Sequence, residues 1–175
     1  MTSRGKRAQK PGMTSLLGEE AVSKDDPRLR AIGAIDEASA SLSLAKAFLT
    51  DPADKDILSA CQEHLSLIMA GMAGWNHTSF QEKLAFALEK LESFTAEVEK
   101  KTEMPGAFLH PGKTPAEGAL DLARAVVRRA ERETISLAKS PQGNYIPEDA
   151  LNYLNRLSYL CFLLLAGQAA GSQNQ

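Results

Sequence analysis

Apolar positions in this chain recur every three or four residues through five long stretches, which is the period of a helix with one buried face. Leu29, Ile32, Ile35, Ala38, Leu42, Ala45 and Leu49 form the first stripe. Asp26 and Pro27 open it, an aspartate at the N-cap and a proline at the first helical position, where no donor is needed. After a Thr50-Asp51-Pro52-Ala53 turn, Ile57, Cys61, Leu65, Ile68 and Met72 make the second stripe, which ends around Gly71, Gly74, Trp75 and Asn76. Ser79 and Glu82 have the spacing of a capping box ahead of Phe80, Leu84, Leu88, Leu91, Thr95 and Val98, and Met104-Pro105-Gly106 stops that helix. Thr114 and Glu117 repeat the capping-box spacing and open a fourth helix running to about Lys139, with Ala119, Leu122 and Val126 expected inside. Pro141 to Asn144 breaks the chain, and Pro147 starts a fifth helix with Leu151, Leu154, Leu157, Leu160 and Cys161 facing inward.

No stretch sustains the two-residue alternation of a strand, and no repeat occurs at a fixed period. Short polar connections between long helices favour antiparallel neighbours, so the expected fold is all-α, an up-down five-helix bundle in one domain. A basic N-terminal arm covers 1–13, the helical domain 14–170, and a polar tail 171–175. The longest apolar run, Tyr159–Gly167, is far shorter than the roughly 20 residues of a membrane span, so a buried helix without membrane contact is expected.

Composition narrows the function. The 175 residues are 43% hydrophobic and 24% charged, the balance of a soluble domain with a real core. Twenty basic residues against 22 acidic ones supply no general excess for a nucleic-acid backbone, so no nucleic-acid partner is expected. The first dozen residues lack the apolar segment of a secretory signal. Cys61 and Cys161 are too far apart for a metal or redox motif and read as free thiols in a reducing cytoplasm. His64, His77 and His110 share no ligand spacing, and no Glu-x-x-His pair is present, so no protein-held metal is expected.

The densest chemistry lies at Arg124, Arg128, Arg129, Glu131 and Arg132. Arg124, Arg128 and Glu131 fall on one helical face at spacings of four and three. Such a run serves either as a solvated, salt-bridged face or as an anion clamp, because guanidinium forks match phosphate oxygens. Asn155 and Arg156 on the next helix offer a second direction of contact. Phe108 precedes a Pro111-Gly112 break. Thr14 and Ser15 begin a Gly18-containing segment that leads through Lys24 to a helix N-terminus, a setting in which backbone N–H groups can cradle phosphate.

These segments resemble the PduO-type ATP:cob(I)alamin adenosyltransferases. The likeness is carried by TSLLGEEAVSKDDPR (14–28), AIGAIDEASASLSLAKA (31–47), the second helix around Gln62, FLHPGKTPAEGALDLARAVVRRAER (108–132) and YLNRLS (153–158). It implies a five-helix bundle of the ferritin-like, cobalamin adenosyltransferase-like class, assembled as a homotrimer with ATP and cobalamin at the subunit interfaces. It also implies Mg2+, and a B12-dependent enzyme as acceptor of the product. By position, Arg128 and Arg129 match ATP-contacting arginines, Glu131 the acid beside them, Asn155 an ATP-binding asparagine followed by Arg156, and Lys24 a phosphate-contacting lysine. Asp36 and Arg124 match an acid–base pair that bridges subunits, and Phe108 the aromatic that keeps the lower face of cobalt free of a ligand.

The chain departs from that pattern at three places, the third milder than the others. A T-x-T-G-D-x-G loop is replaced by Lys6-Arg7-Ala8-Gln9-Lys10-Pro11-Gly12, with a lysine at the aspartate position and a proline that removes a donor. The motif N-R-L-S-D ends here in Tyr159, and Lys113 stands where a second glycine is common. Two readings follow: adenosyl transfer from ATP to cob(I)alamin, or a corrinoid- or nucleotide-binding, sensor or delivery protein on the same scaffold.

Overall fold

The computed structural model describes residues 10–75, 77–141 and 146–173. The N-terminal arm up to residue 9, which includes most of the altered loop, lies outside the described residues, as does Asn76. Five helices carry the fold: α1 (Pro27–Phe48), α2 (Pro52–Met72), α3 (Phe80–Lys101), α4 (Pro115–Ala138) and α5 (Glu148–Gln173). The last helix thus runs through positions 171–173, assigned above to a polar tail. No helix among the described residues is long and apolar enough to cross a membrane.

A two-stranded antiparallel hairpin precedes the helices, β1 (Met13–Leu16) and β2 (Glu19–Ser23), in a segment expected to be loop. Leu17 and Gly18 form its turn, with Gly18 at φ 81°. The register slips between Thr14 and Leu16, and Ala21 stands opposite the slip at φ 63°, a bulge that breaks the alternation expected of a strand. Leu17 N–H donates to the Ala73 carbonyl at 3.0 Å, docking the hairpin on the end of α2. Gly74 is required there: its φ is 99°, and a Cβ would stand 2.9 Å from the Leu17 carbonyl oxygen. Arg28 ties the hairpin to α1, donating to both Glu19 oxygens at 2.6 and 2.9 Å and to Asp26 at 3.0 and 3.1 Å. Arg28 holds both carboxyls below their usual range.

Two of the expected caps form. Asp26 accepts from Arg28 N–H at 2.8 Å, and Thr114 accepts from Glu117 N–H at 3.2 Å. The expected box at Ser79 does not form, because the Ser79 hydroxyl pairs with His77 Nδ1 at 2.7 Å instead. Glu117 also departs from the expected pattern. Only 1% exposed, it accepts from Gly112 N–H at 3.1 Å and Lys113 N–H at 3.0 Å, clamping the α3–α4 connection onto the first turn of α4. Glu117→Ala is expected to lower stability by about 2–3 kcal/mol through those two stranded donors. A urea midpoint unchanged from wild type would contradict this.

The core lies along α4, which packs between α1 and α5, and is closed by α2 and α3. α1 and α4 meet through small residues, Ala31, Ala34, Ala38 and Ala45 against Ala119, Ala123 and Ala130, which lets the backbones approach closely. This rotates α4 relative to the expected stripe. Leu120, Ala123 and Val127 are buried, Leu122 is 49% exposed and Val126 half-buried. Tyr153 is fully buried in α5 and its hydroxyl meets His64 Nδ1 of α2 at 2.9 Å. Cys61 and Cys161 are free, buried thiols; burial pushes Cys61 up to about 12 and Cys161 up as well.

The packing order sets the site. α5 packs against α2, α3 and α4, whereas the backbones of α3 and α4 stand apart among the described residues. The connection from Thr102 to Thr114 crosses from α3 to α4 over that gap. An open groove therefore runs along α5, with α3 and α4 as its walls.

Candidate functional site

Arg124 and Arg128 line the α4 wall of the groove, Asn155, Arg156, Ser158, Tyr159 and Phe162 its α5 floor, and Glu99 its α3 wall. The hollow measures about 470 Å³, within the range of small-molecule sites. The helical period puts these groups here. Residues 124 and 128 are one turn apart on α4, and 155, 159 and 162 succeed one another up α5.

The charges differ in how they are satisfied. Arg124 Nη2 lies 2.7 Å from Asp121 on its own helix, and Arg156 Nε lies 2.8 Å from Glu92 of α3. Arg156 also stacks over the Tyr159 ring at 5.1 Å. Arg128 has no ion-pair or hydrogen-bond partner among the described residues. Asn155 Nδ2 donates to Glu131 Oε1 at 3.0 Å, fixing the amide beside Arg128. Tyr159 donates its hydroxyl to Glu99 Oε1 at 2.7 Å, and that bond holds the phenol above its usual range.

At its upper end the groove opens into an apolar hollow of about 330 Å³, lined by Met104, Phe108, Leu109 and Leu165 and sharing Arg124 and Phe162 with the arginine end. Phe108 is 87% exposed and touches His110 edge-on at 5.5 Å. Such exposure of a phenylalanine at the mouth of a hollow is unusual for a residue serving only the core.

Of the residues singled out by sequence, the structure brings Arg124, Arg128, Glu131, Asn155 and Arg156 together, with Phe108 at the adjoining end. Arg129 turns the other way and pairs with Glu37 of α1. Thr14 and Ser15 lie in β1, where ladder pairing occupies part of the backbone expected to face phosphate. Lys24 is exposed at the hairpin base, its N–H donating to the Gly12 carbonyl at 2.8 Å. Neither the hairpin nor the exposed Asp36 of α1 lines the groove of the same chain. Glu99 and Glu92 were not legible in sequence. They sit among many charges on α3, and only packing against α5 distinguishes them.

Residues 6–166 match the family model described as cobalamin adenosyltransferase. The chain belongs to the cobalamin adenosyltransferase family. Among relatives, it is 30% identical over 158 residues to the corrinoid adenosyltransferase of Bacillus subtilis, covering 84% of this chain and 76% of that one. It is also 30% identical over 156 residues to the corrinoid adenosyltransferase PduO of Salmonella typhimurium, covering 87% of this chain and 46% of that protein. The chain thus spans about half the length of the PduO relatives. In fold, it is similar to a variant of the PduO-type ATP:corrinoid adenosyltransferase from Lactobacillus reuteri complexed with cobalamin and ATP, with TM-score 0.75, 24% identity and coverage of 93% and 91%. A second variant of that enzyme, complexed with ATP, gives TM-score 0.74 at 25% identity, with the same coverage. The matched range takes in both helices and the connection that line the groove.

Proposed function

We propose that this protein transfers the 5′-deoxyadenosyl group of ATP to the cobalt of cob(I)alamin. The observation that carries the reading is Arg128, a guanidinium without a partner among the described residues, beside the Asn155 amide and facing a groove whose other end is the apolar hollow of Phe108. The polar end suits a triphosphate and the apolar end the face of a corrin ring. In the reaction the Co(I) electron pair attacks C5′, a cobalt–carbon bond forms, and the C5′–O bond breaks with its electrons leaving on triphosphate. Cobalt becomes formally Co(III). The nucleophile is strong, so the protein's work is alignment of the two substrates and stabilisation of the leaving charge. Arg128 and Asn155 meet the phosphates, with Glu131 orienting the amide and Arg156 held beside it by Glu92. Phe108 covers the lower face of cobalt, because an exposed apolar ring there excludes water as a ligand.

Among the described residues no group of three His, Cys, Asp or Glu side chains is placed to hold a metal. Mg2+ bound with the nucleotide would supply positive charge to the triphosphate, which Arg128 and Asn155 are placed to meet. Lys24, Thr14 and Ser15 serve the phosphates from a second copy of the chain, since their own groove lies beyond them. A homotrimer supplies that geometry. Its support is an exposed strip on α1 and α4: Asp36, unpaired within its own chain among the described residues, with Leu44, Phe48 and Leu122. Asp36→Asn is expected to shift sedimentation toward smaller species; a profile identical to wild type would remove the bridging role. The free thiols support a reducing cytoplasm, and a B12-dependent enzyme would accept the product.

The test is an anaerobic mixture of Mg-ATP and chemically reduced cob(I)alamin, followed through the cobalamin spectrum. Protein-dependent formation of adenosylcobalamin establishes the activity. Binding of ATP or corrinoid without conversion would establish the binding-only reading.

A further inference from the structure

Glu99 is the carboxylate lining the groove along the α3 wall, opposite the guanidinium groups of α4. One of its oxygens, Oε1, receives the Tyr159 hydroxyl at 2.7 Å. The Tyr159 ring is in turn held by the Arg156 guanidinium at 5.1 Å and by stacking on Phe162 at 6.4 Å. Arg156 is anchored to Glu92, so the whole assembly is fixed between α3 and α5. Among the described residues no pairing engages Oε2. A carboxylate fixed by one oxygen in the wall of a ligand-sized hollow is an acceptor for neutral donors such as hydroxyl groups.

Its level along the groove selects the donor. Asn155 and Arg128 mark one end, Phe162 and Phe108 the other, and Tyr159 lies between them on α5. This step rests on the transfer reading above. In-line displacement puts C5′ between the departing triphosphate and the cobalt, and the ribose hangs from C5′. Phosphates at the Arg128 end and cobalt at the Phe108 end therefore bring the ribose to the level of Tyr159. A phosphate at that level would meet the Glu99 charge unfavourably, whereas a ribose diol would donate to it. We infer that Glu99, held in place by Tyr159, reads the ribose hydroxyls of the nucleotide and makes the site selective for ribonucleotides over 2′-deoxyribonucleotides. Tyr159 acts as a positioning residue, setting the carboxylate.

The experiment is calorimetric titration of the full chain with ATP, 2′-deoxy-ATP and inorganic triphosphate, for wild type, Glu99→Ala and Tyr159→Phe. Wild type is expected to prefer ATP over 2′-deoxy-ATP by roughly tenfold, the scale of one hydrogen bond to a charged group. Glu99→Ala should bind both nucleotides alike, at the level of wild type with 2′-deoxy-ATP, and Tyr159→Phe should fall between. Triphosphate affinity should be the same in all three. A preference retained in Glu99→Ala, or absent from wild type, overturns the assignment. So does equal weakening of triphosphate in Glu99→Ala, which would mark a merely structural role. Because the readout is binding, a wild type that shows the preference yet forms no adenosylcobalamin would sink the transfer reading and leave the ribose assignment standing.

Discussion

Arg128→Ala is expected to weaken ATP binding by one to two orders of magnitude and to slow turnover at saturating ATP as well. A charge-assisted hydrogen bond contributes about 1.5–3 kcal/mol, and each 1.4 kcal/mol is a factor of ten. Arg128 meets the condition for the upper part of that range, having no competing partner among the described residues to be released from. Under the proposed transfer its effect reaches past binding, because negative charge on the leaving triphosphate would grow as the C5′–O bond breaks. Arg129 makes the internal control. It is exposed and paired with Glu37, so Arg129→Ala should change ATP affinity far less. Calorimetry with ATP and the rate of adenosylcobalamin formation measure both variants. Kinetics for Arg128→Ala indistinguishable from wild type would remove the phosphate clamp from the mechanism.

Phe108→Ala should leave the fold and ATP affinity intact while slowing the reaction that starts from cob(II)alamin. At 87% exposure the ring contributes little to the core, so the melting temperature should not move. Under the proposed transfer, loss of the ring would let water reach the lower position of cobalt, and a Co(II) centre with that ligand is harder to reduce. A 10–100-fold loss, about 1.4–2.7 kcal/mol at the barrier, is expected. Supplying cobalamin already reduced to Co(I) should restore most of the rate, because Co(I) needs no such protection. Equal rates from cob(II)alamin for variant and wild type would count against the role.

The helices were legible because their stripes are strong and because Asp26 and Thr114 carry cap chemistry that the structure uses. The hairpin was not. Its strands are four and five residues long, and the bulge at Ala21 destroys the alternation that would announce them. The inward face of α4 was misplaced for a different reason. Its buried stripe is largely alanine, which carries little hydrophobic weight, while Leu122 stands out in sequence and faces outward. At the site, the arginines and Asn155 could be found from their spacing, since all lie on two helices with clear periods. Glu99 could not be found that way, because its meaning depends on which helix lies across the groove. The substitution at Tyr159 reads as a lost acid in sequence; in three dimensions its hydroxyl holds an acid from α3 in the same hollow.

The two sealed thiols make the folded chain chemically silent toward sulfur reagents. Cys61 and Cys161 come from α2 and α5, and both are fully covered. Neither forms appreciable thiolate near neutral pH while the core is closed, and thiolate is the reactive species. Exposure of either requires parting α5 from its neighbours, an event close to global opening. The rate at which an aromatic disulfide reagent colours a solution of this protein is therefore a built-in clock for unfolding. A single cysteine engineered onto the groove rim would take a spectroscopic label without competition from the native pair.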